Sequence, residues 1–98
     1  MWRHGDVLIA EAKSIPRGAV RRNGTVLVRG EITGHSHRVA EPHAAEIWEL
    51  GQELFLKITG DAATLVHEEH KPIMLPRGIY RVWVQREYTP AVVRRIVD

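Results

Sequence analysis

The sequence predicts an all-β chain: a small antiparallel barrel or sandwich forming a single domain over residues 1–98. Three observations carry that expectation. Short β-branched and aromatic runs recur along the chain, turn residues punctuate them, and 98 residues hold one core but not two. No repeat, low-complexity tract or linker-like stretch divides the chain.

Taken in order, Asp6-Val7-Leu8-Ile9-Ala10-Glu11-Ala12 is a short apolar strand, closed by the Pro16-Arg17-Gly18 turn. Asn23-Gly24, the favoured hairpin dipeptide, precedes Thr25-Val26-Leu27-Val28, which predicts a hairpin there. From Glu53 to Thr59, Leu54, Leu56 and Ile58 alternate with Glu53, Phe55, Lys57 and Thr59, the period of a half-buried strand. The stretches around Ala62–Val66 and Lys71–Gly78 read as further short strands. In the next, Tyr80, Val82 and Val84 share one face, and Arg81, Trp83 and Gln85 the other. The end is ambiguous: Thr89-Pro90 resembles a helix start, whereas its β-branched residues favour extended structure, so a terminal strand or short C-terminal helix is expected.

Composition narrows the function. There is no cysteine, so thiolate chemistry and disulfides are excluded and any site must use histidine, carboxylate or hydroxyl groups. No apolar run is long enough for a membrane span, and the amino-terminal run ends at Glu11 with no cleavage-site pattern, so a cytoplasmic protein without a membrane role is expected. The net charge is only +2, and the basic residues come in pairs such as Arg21-Arg22 and Arg94-Arg95. That is a weak signal for nucleic acid.

The chemistry concentrates in two histidine clusters. His35 and His37 are two residues apart, so on a strand both leave the same face, and imidazoles at that spacing can converge on one ion. Gly34 leaves room beside them. In His67-Glu68-Glu69-His70, a helix would align the two histidines, but Pro72 disfavours helix at Lys71 and predicts a strand end entering a turn. A bulge or bend at Glu68-Glu69 would let His70 join His67. The zinc-protease helix motif is absent, because the fourth residue after His67 is Lys71.

A domain this small keeps the clusters close together. The expectation is therefore a shared site with His35, His37, His67 and His70 as metal ligands, and with Glu68 or Glu69 as general base or ligand-orienting carboxylate. The ion is a divalent metal, zinc first, with iron, nickel or manganese as alternatives. Three histidines plus water would make an open, reactive centre. His4 and His43 are taken as surface residues.

The His35-Ser36-His37 pair, with the later histidines and Leu75-Pro76-Arg77-Gly78-Ile79-Tyr80-Arg81-Val82, resembles the layout of the cupins. Cupins are small β-barrels whose metal is held by His-x-His, a nearby carboxylate and a later histidine. The resemblance implies a metal-holding barrel and gives Glu41 the carboxylate's place, although Pro76-Arg77-Gly78 follows the later histidine instead of preceding it. Most of the chain also resembles a group of short uncharacterised bacterial and phage-type proteins carrying GDVLI, GEITGHSH and HEEHKPIMLPRGIYRVWVQREYTP. That likeness names no activity but draws attention to Gln85, Arg86, Glu87 and Tyr88. Gln85 and Tyr88 are candidate substrate-binding residues.

Two functions follow. One is a metal-dependent hydrolase or related acid/base enzyme acting on a small or phosphate-bearing substrate. The other is a protein- or nucleic-acid-binding module using Arg21, Arg22, Arg81, Arg86, Arg94 and Arg95, with structural histidines. Either allows a homodimer through exposed sheet edges.

Overall fold

A computed structural model describes residues 1–30 and 33–85. The C-terminal strand-or-helix question, and Arg86, Glu87, Tyr88, Arg94 and Arg95, fall outside the described residues. The fold is all-β, as expected. Its strands are β1 Trp2–His4, β2 Val7–Ala12, β3 Val20–Arg22, β4 Val26–Arg29, β5 Ser36–Val39, β6 Ala45–Leu50, β7 Glu53–His67 and β8 His70–Val84. A 3-10 turn at Pro42–Ala44 is the only helical segment among the described residues, and no helix is long and apolar enough to cross a membrane.

All pairings are antiparallel, in the order β1-β2-β8-β7-β5-β4, with β6 paired to β7 and β3 to β6. The stretches read from sequence as short pieces merge into two 15-residue strands joined at Glu68-Glu69. This hairpin is the spine. One edge of β7 is divided: its first half pairs with β6 from Glu53 to Ile58, and its last residues pair with β5 at Leu65 and Val66. On β8, only Ile79–Val84 pair with β2. Pro72 and Pro76 thus sit where the outer edge has no partner among the described residues, and their missing N–H groups cost no ladder bond on that side.

The spine is bent. Fully extended, β8 would hold His70 roughly 45 Å from Val84, yet both line one cleft. The register shifts between Ile58 and Ala62, an irregularity that bends a strand and increases its twist. Gly60 sits in this break: a Cβ there would lie 3.1 Å from the Ala44 Cβ of the 3-10 turn. A side chain there would press on the Ala44 methyl, which would have to give way slightly.

The concave side carries the core: Val7, Ile9, Leu27, Val39, Ile47, Leu56, Ile58, Leu65, Leu75, Tyr80 and Val82. The alternation expected for β7 and β8 places Leu56, Ile58, Tyr80 and Val82 inward. Phe55, expected outside, is buried as well, because its register partners Trp48 and Arg81 flank it on the outer face. The Tyr80 hydroxyl donates to the Pro76 carbonyl at 2.5 Å, and Trp2 meets the Tyr80 ring edge-on at 5.4 Å between centroids.

The hairpin predicted at Asn23-Gly24 does not form. β3 pairs with β6 and β4 with β5, so the two segments part company at the turn. Charge and backbone bonds explain the divergence. Arg21 and Arg22 reach Glu46 and Glu49 on β6, the Arg22 guanidinium also donates to the Val26 and Leu27 carbonyls, and Val39 N–H donates to the Thr25 carbonyl. The Arg22 side chain takes the place of a β3–β4 ladder.

Leu56→Ala is expected to cost about 2–5 kcal/mol, because Leu56 is fully enclosed. Met74→Ala, at a position 68% exposed, should stay within about 0.5 kcal/mol of the parent. Urea unfolding of both variants checks the contrast.

Candidate functional site

Four elements converge at one end of the half-barrel. The tip of the β7–β8 hairpin supplies His67 and His70, which face each other in register across the Glu68-Glu69 loop. Among the described residues no non-glycine residue has a positive φ, so the loop does not use the left-handed pair of a type I′ turn. A register shift between Leu65 and His67 adjusts the pairing instead. The strand end and turn expected from Pro72 are therefore present. β5 contributes His37, and His35 stands just before it.

The fourth element is β1. His4, expected at the surface, is 2% exposed. The β1–β2 hairpin turns at Gly5-Asp6 and lays His4 against the other rings: its centroid is 4.9 Å from His37, 5.6 Å from His70 and 6.3 Å from His67. Its Nδ1 is 2.9 Å from His37 Nδ1, and its Nε2 is 3.1 Å from the Lys71 carbonyl. The signal in the sequence was Gly5-Asp6 just after His4, a turn dipeptide that folds the first residues back along Val7–Ile9. His43 lies exposed in the 3-10 turn.

The histidines group in a different way from the strand pair first expected. Ligand nitrogens of His37, His67 and His70 lie within 4.8 Å of one another, while His35 groups with His67 and Glu68 within the same limit. His35 and His37 therefore enter separate groups that share His67. The reason is local: regular pairing begins only at Ser36, and Gly34 has a φ of +76°, so the two-residue strand period does not extend back to His35.

The two loop carboxylates divide their roles. Glu68 accepts from the Ser36 N–H and from Arg38, both at 3.0 Å, and the Ser36 amide is the main cause that holds its carboxyl down at about 2. A carboxylate held so firmly as an anion is a poor proton acceptor. Glu69 is 3.2 Å from His35 Nδ1, and its own N–H donates to His67 Nδ1 at 2.9 Å. Glu41, to which the cupin resemblance gives the carboxylate's place, instead accepts from Thr64 N–H at 2.7 Å and Thr64 Oγ1 at 2.8 Å. It braces β7 and takes no part in either histidine group.

Burial lowers the pKa of His4, and it is the first cause that brings His37 down to about 4, with His67 and His4 adding like-charge repulsion. Both rings are thus neutral near pH 7. Beside the rings opens a cleft of about 680 Å³ whose wall includes Asp6, Arg29, Thr33, Glu69 and Gln85. Gln85 is exposed there, with its N–H bonded to the Asp6 carbonyl at 2.7 Å. Asp6, missed in the sequence, stands 3.6 Å from His37 Nε2.

The arginines proposed for nucleic-acid binding are occupied where described. Arg21 and Arg22 face Glu46 and Glu49 at 3.9 and 3.7 Å, and Arg81 lies over the Trp83 ring at 4.9 Å.

Residues 3–85 match the family model described as a domain of unknown function, DUF8820. No curated protein and no solved structure matches the chain.

Two predictions follow from this geometry. Unfolded chains protonate His37 near its ordinary value of 6.5, whereas the folded protein keeps it neutral down to about pH 4. The unfolded state therefore binds more protons in that window, and stability falls with decreasing pH across it, by at most about 3 kcal/mol from this residue. Urea unfolding in the presence of chelator at pH 4.5 and 7.5 should show the slope, and His37→Gln should make it shallower, with His4 still contributing in the same direction. Second, Gly5 has a φ of +65°, and a Cβ there would lie 2.5 Å from His70 Nε2. Gly5→Ala is expected to cost roughly 1–2 kcal/mol in backbone strain and to displace the His70 imidazole, visible in its ring resonances.

Proposed function

The chain belongs to the DUF8820 family of unknown function, and we propose from its own geometry that it is a metal-binding β domain. His37, His67 and His70 are its nitrogen ligands and zinc its first ion. The observation that carries this reading is the mutual approach of those three nitrogens to within 4.8 Å. Nitrogens bound to one zinc at 2.0–2.1 Å stand about 3.4 Å apart in a tetrahedron, so modest ring rotations close the set. In that closure His67 exchanges its contact with the Glu69 N–H for the ion, because that amide now engages the Nδ1 lone pair.

The electrostatics favour the same reading. A ligating imidazole must be neutral, and burial already makes His37 so. Neutral nitrogen donors suit zinc, iron and nickel better than manganese, which prefers oxygen. Three protein ligands leave a coordination position for water or a substrate oxygen, the composition of reactive zinc centres. Around it the cleft presents Arg29, Thr33 and Gln85, which suits a small polar or phosphate-bearing substrate. In a metal-assisted hydrolysis or related acid/base reaction, Glu69 is the carboxylate suited to proton transfer, because Glu68 is tied to Ser36 and Arg38.

Untagged protein dialysed against zinc should retain about one ion per chain, and zinc at 100 times its Kd should raise unfolding stability by about 2.7 kcal/mol. His67→Ala and His70→Ala should each weaken binding more than about tenfold, a cost above about 1.4 kcal/mol. His35→Ala should leave binding nearly unchanged, since His35 lies outside the triad. Zinc that is neither retained nor stabilising would remove the proposal.

A further inference from the structure

The proposed ligand set accounts for His37, His67 and His70 and leaves His4 without a role. His4 is almost wholly enclosed, at 2% exposure, and both of its ring nitrogens are engaged. Its Nε2 faces the Lys71 carbonyl at 3.1 Å. A carbonyl oxygen only accepts, so the proton must sit on His4 Nε2. A neutral imidazole carries one ring proton, which leaves His4 Nδ1 as an acceptor. Its partner at 2.9 Å is His37 Nδ1, and that nitrogen must then be the donor. The chain of donors runs from His37 Nδ1–H to His4 Nδ1, and from His4 Nε2–H to the Lys71 carbonyl.

The consequence falls on the far side of the His37 ring. With its proton on Nδ1, His37 keeps a lone pair on Nε2, the nitrogen 3.6 Å from Asp6 on the cleft wall. We propose that His4, anchored on the Lys71 carbonyl, is a positioning residue that fixes the tautomer and orientation of His37, so that Nε2 alone is presented for coordination. Metal-bound histidines are commonly oriented through the second ring nitrogen by a carboxylate, a carbonyl or water. Here a second histidine stands between the ligand and the carbonyl. The coordination clause rests on the metal reading above, whereas the tautomer clause concerns the metal-free protein and stands apart from it.

The test starts from wild-type protein in chelator at pH 7.5, with imidazole nitrogens read by long-range nitrogen–proton NMR. His37 is expected with its proton on Nδ1 and His4 with its proton on Nε2. His37 protonated on Nε2 would overturn the proposal, whether or not the protein binds zinc. In His4→Phe, which keeps a ring but removes the acceptor, His37 should shift its proton toward Nε2 and zinc affinity should fall about 10–100-fold. His4→Asn, whose side-chain oxygen can take the place of His4 Nδ1 as acceptor, should restore the wild-type His37 signature and most of the affinity. An unchanged His37 tautomer in folded His4→Phe would also overturn the proposal. Should that variant not fold, the wild-type and His4→Asn spectra still decide. Absence of zinc binding in the wild type would refute the metal reading and the coordination clause, and leave the tautomer clause to the chelated spectra.

Discussion

The bend in the β7–β8 hairpin is the constraint on which the rest of the structure depends. A straight pair of 15-residue strands would hold its loop, and with it His67 and His70, far from the chain's first residues. The break in register between Ile58 and Ala62, seated on the 3-10 turn through Gly60, curls the pair so that its tip meets β1, β5 and the end of β8. The same curl closes the concave face over Leu56, Ile58, Leu65 and Leu75. Core and cleft are thus two consequences of one bend, because a sheet that wraps its apolar face also brings its remote ends together.

Assembling imidazoles in this way has an electrostatic price. Protonated together, neighbouring rings repel, and burial removes the water that would stabilise their charge. The fold meets this by keeping His4 and His37 neutral and bonded to each other, with the Lys71 carbonyl at the end of the chain. On the metal reading proposed above, the burial that keeps His37 neutral also leaves that ring ready to meet a cation.

The glutamates of the HEEH loop show why chemical type alone does not settle a role. Glu68 and Glu69 are adjacent, exposed and of identical chemistry, yet Glu68 ties the hairpin tip to β5 through Ser36 and Arg38, while Glu69 turns toward His35 and His67. In effect, Glu68 locks the loop so that the histidines flanking it hold their places. Glu41 secures the other side of β7 in the same manner through Thr64. Backbone N–H groups that take a carboxylate partner in place of a strand partner are what permit β7 to change neighbours from β6 to β5.

By itself the sequence determined what depends on near neighbours. Period-two alternation from Leu54 to Ile58 and from Tyr80 to Val84 specified strands and their inner faces, and Pro72 weighed against a helix through HEEH. The absence of cysteine confined any site to histidine and carboxylate. What only the tertiary structure decided depends on residues far apart in the chain. Asn23-Gly24 carries a strong local hairpin signal, but β3 takes its ladder partner from β6, far along the chain. His4, an ordinary polar residue by its neighbours, is buried because the Gly5-Asp6 turn and the distant hairpin tip close over it. His35 and His37 are separated into two groups because β5 begins between them. Local preference is a matter of a few tenths of a kcal/mol to about one per residue, whereas burial of a side chain or satisfaction of a buried ring nitrogen is worth more, so partners distant in sequence made these decisions.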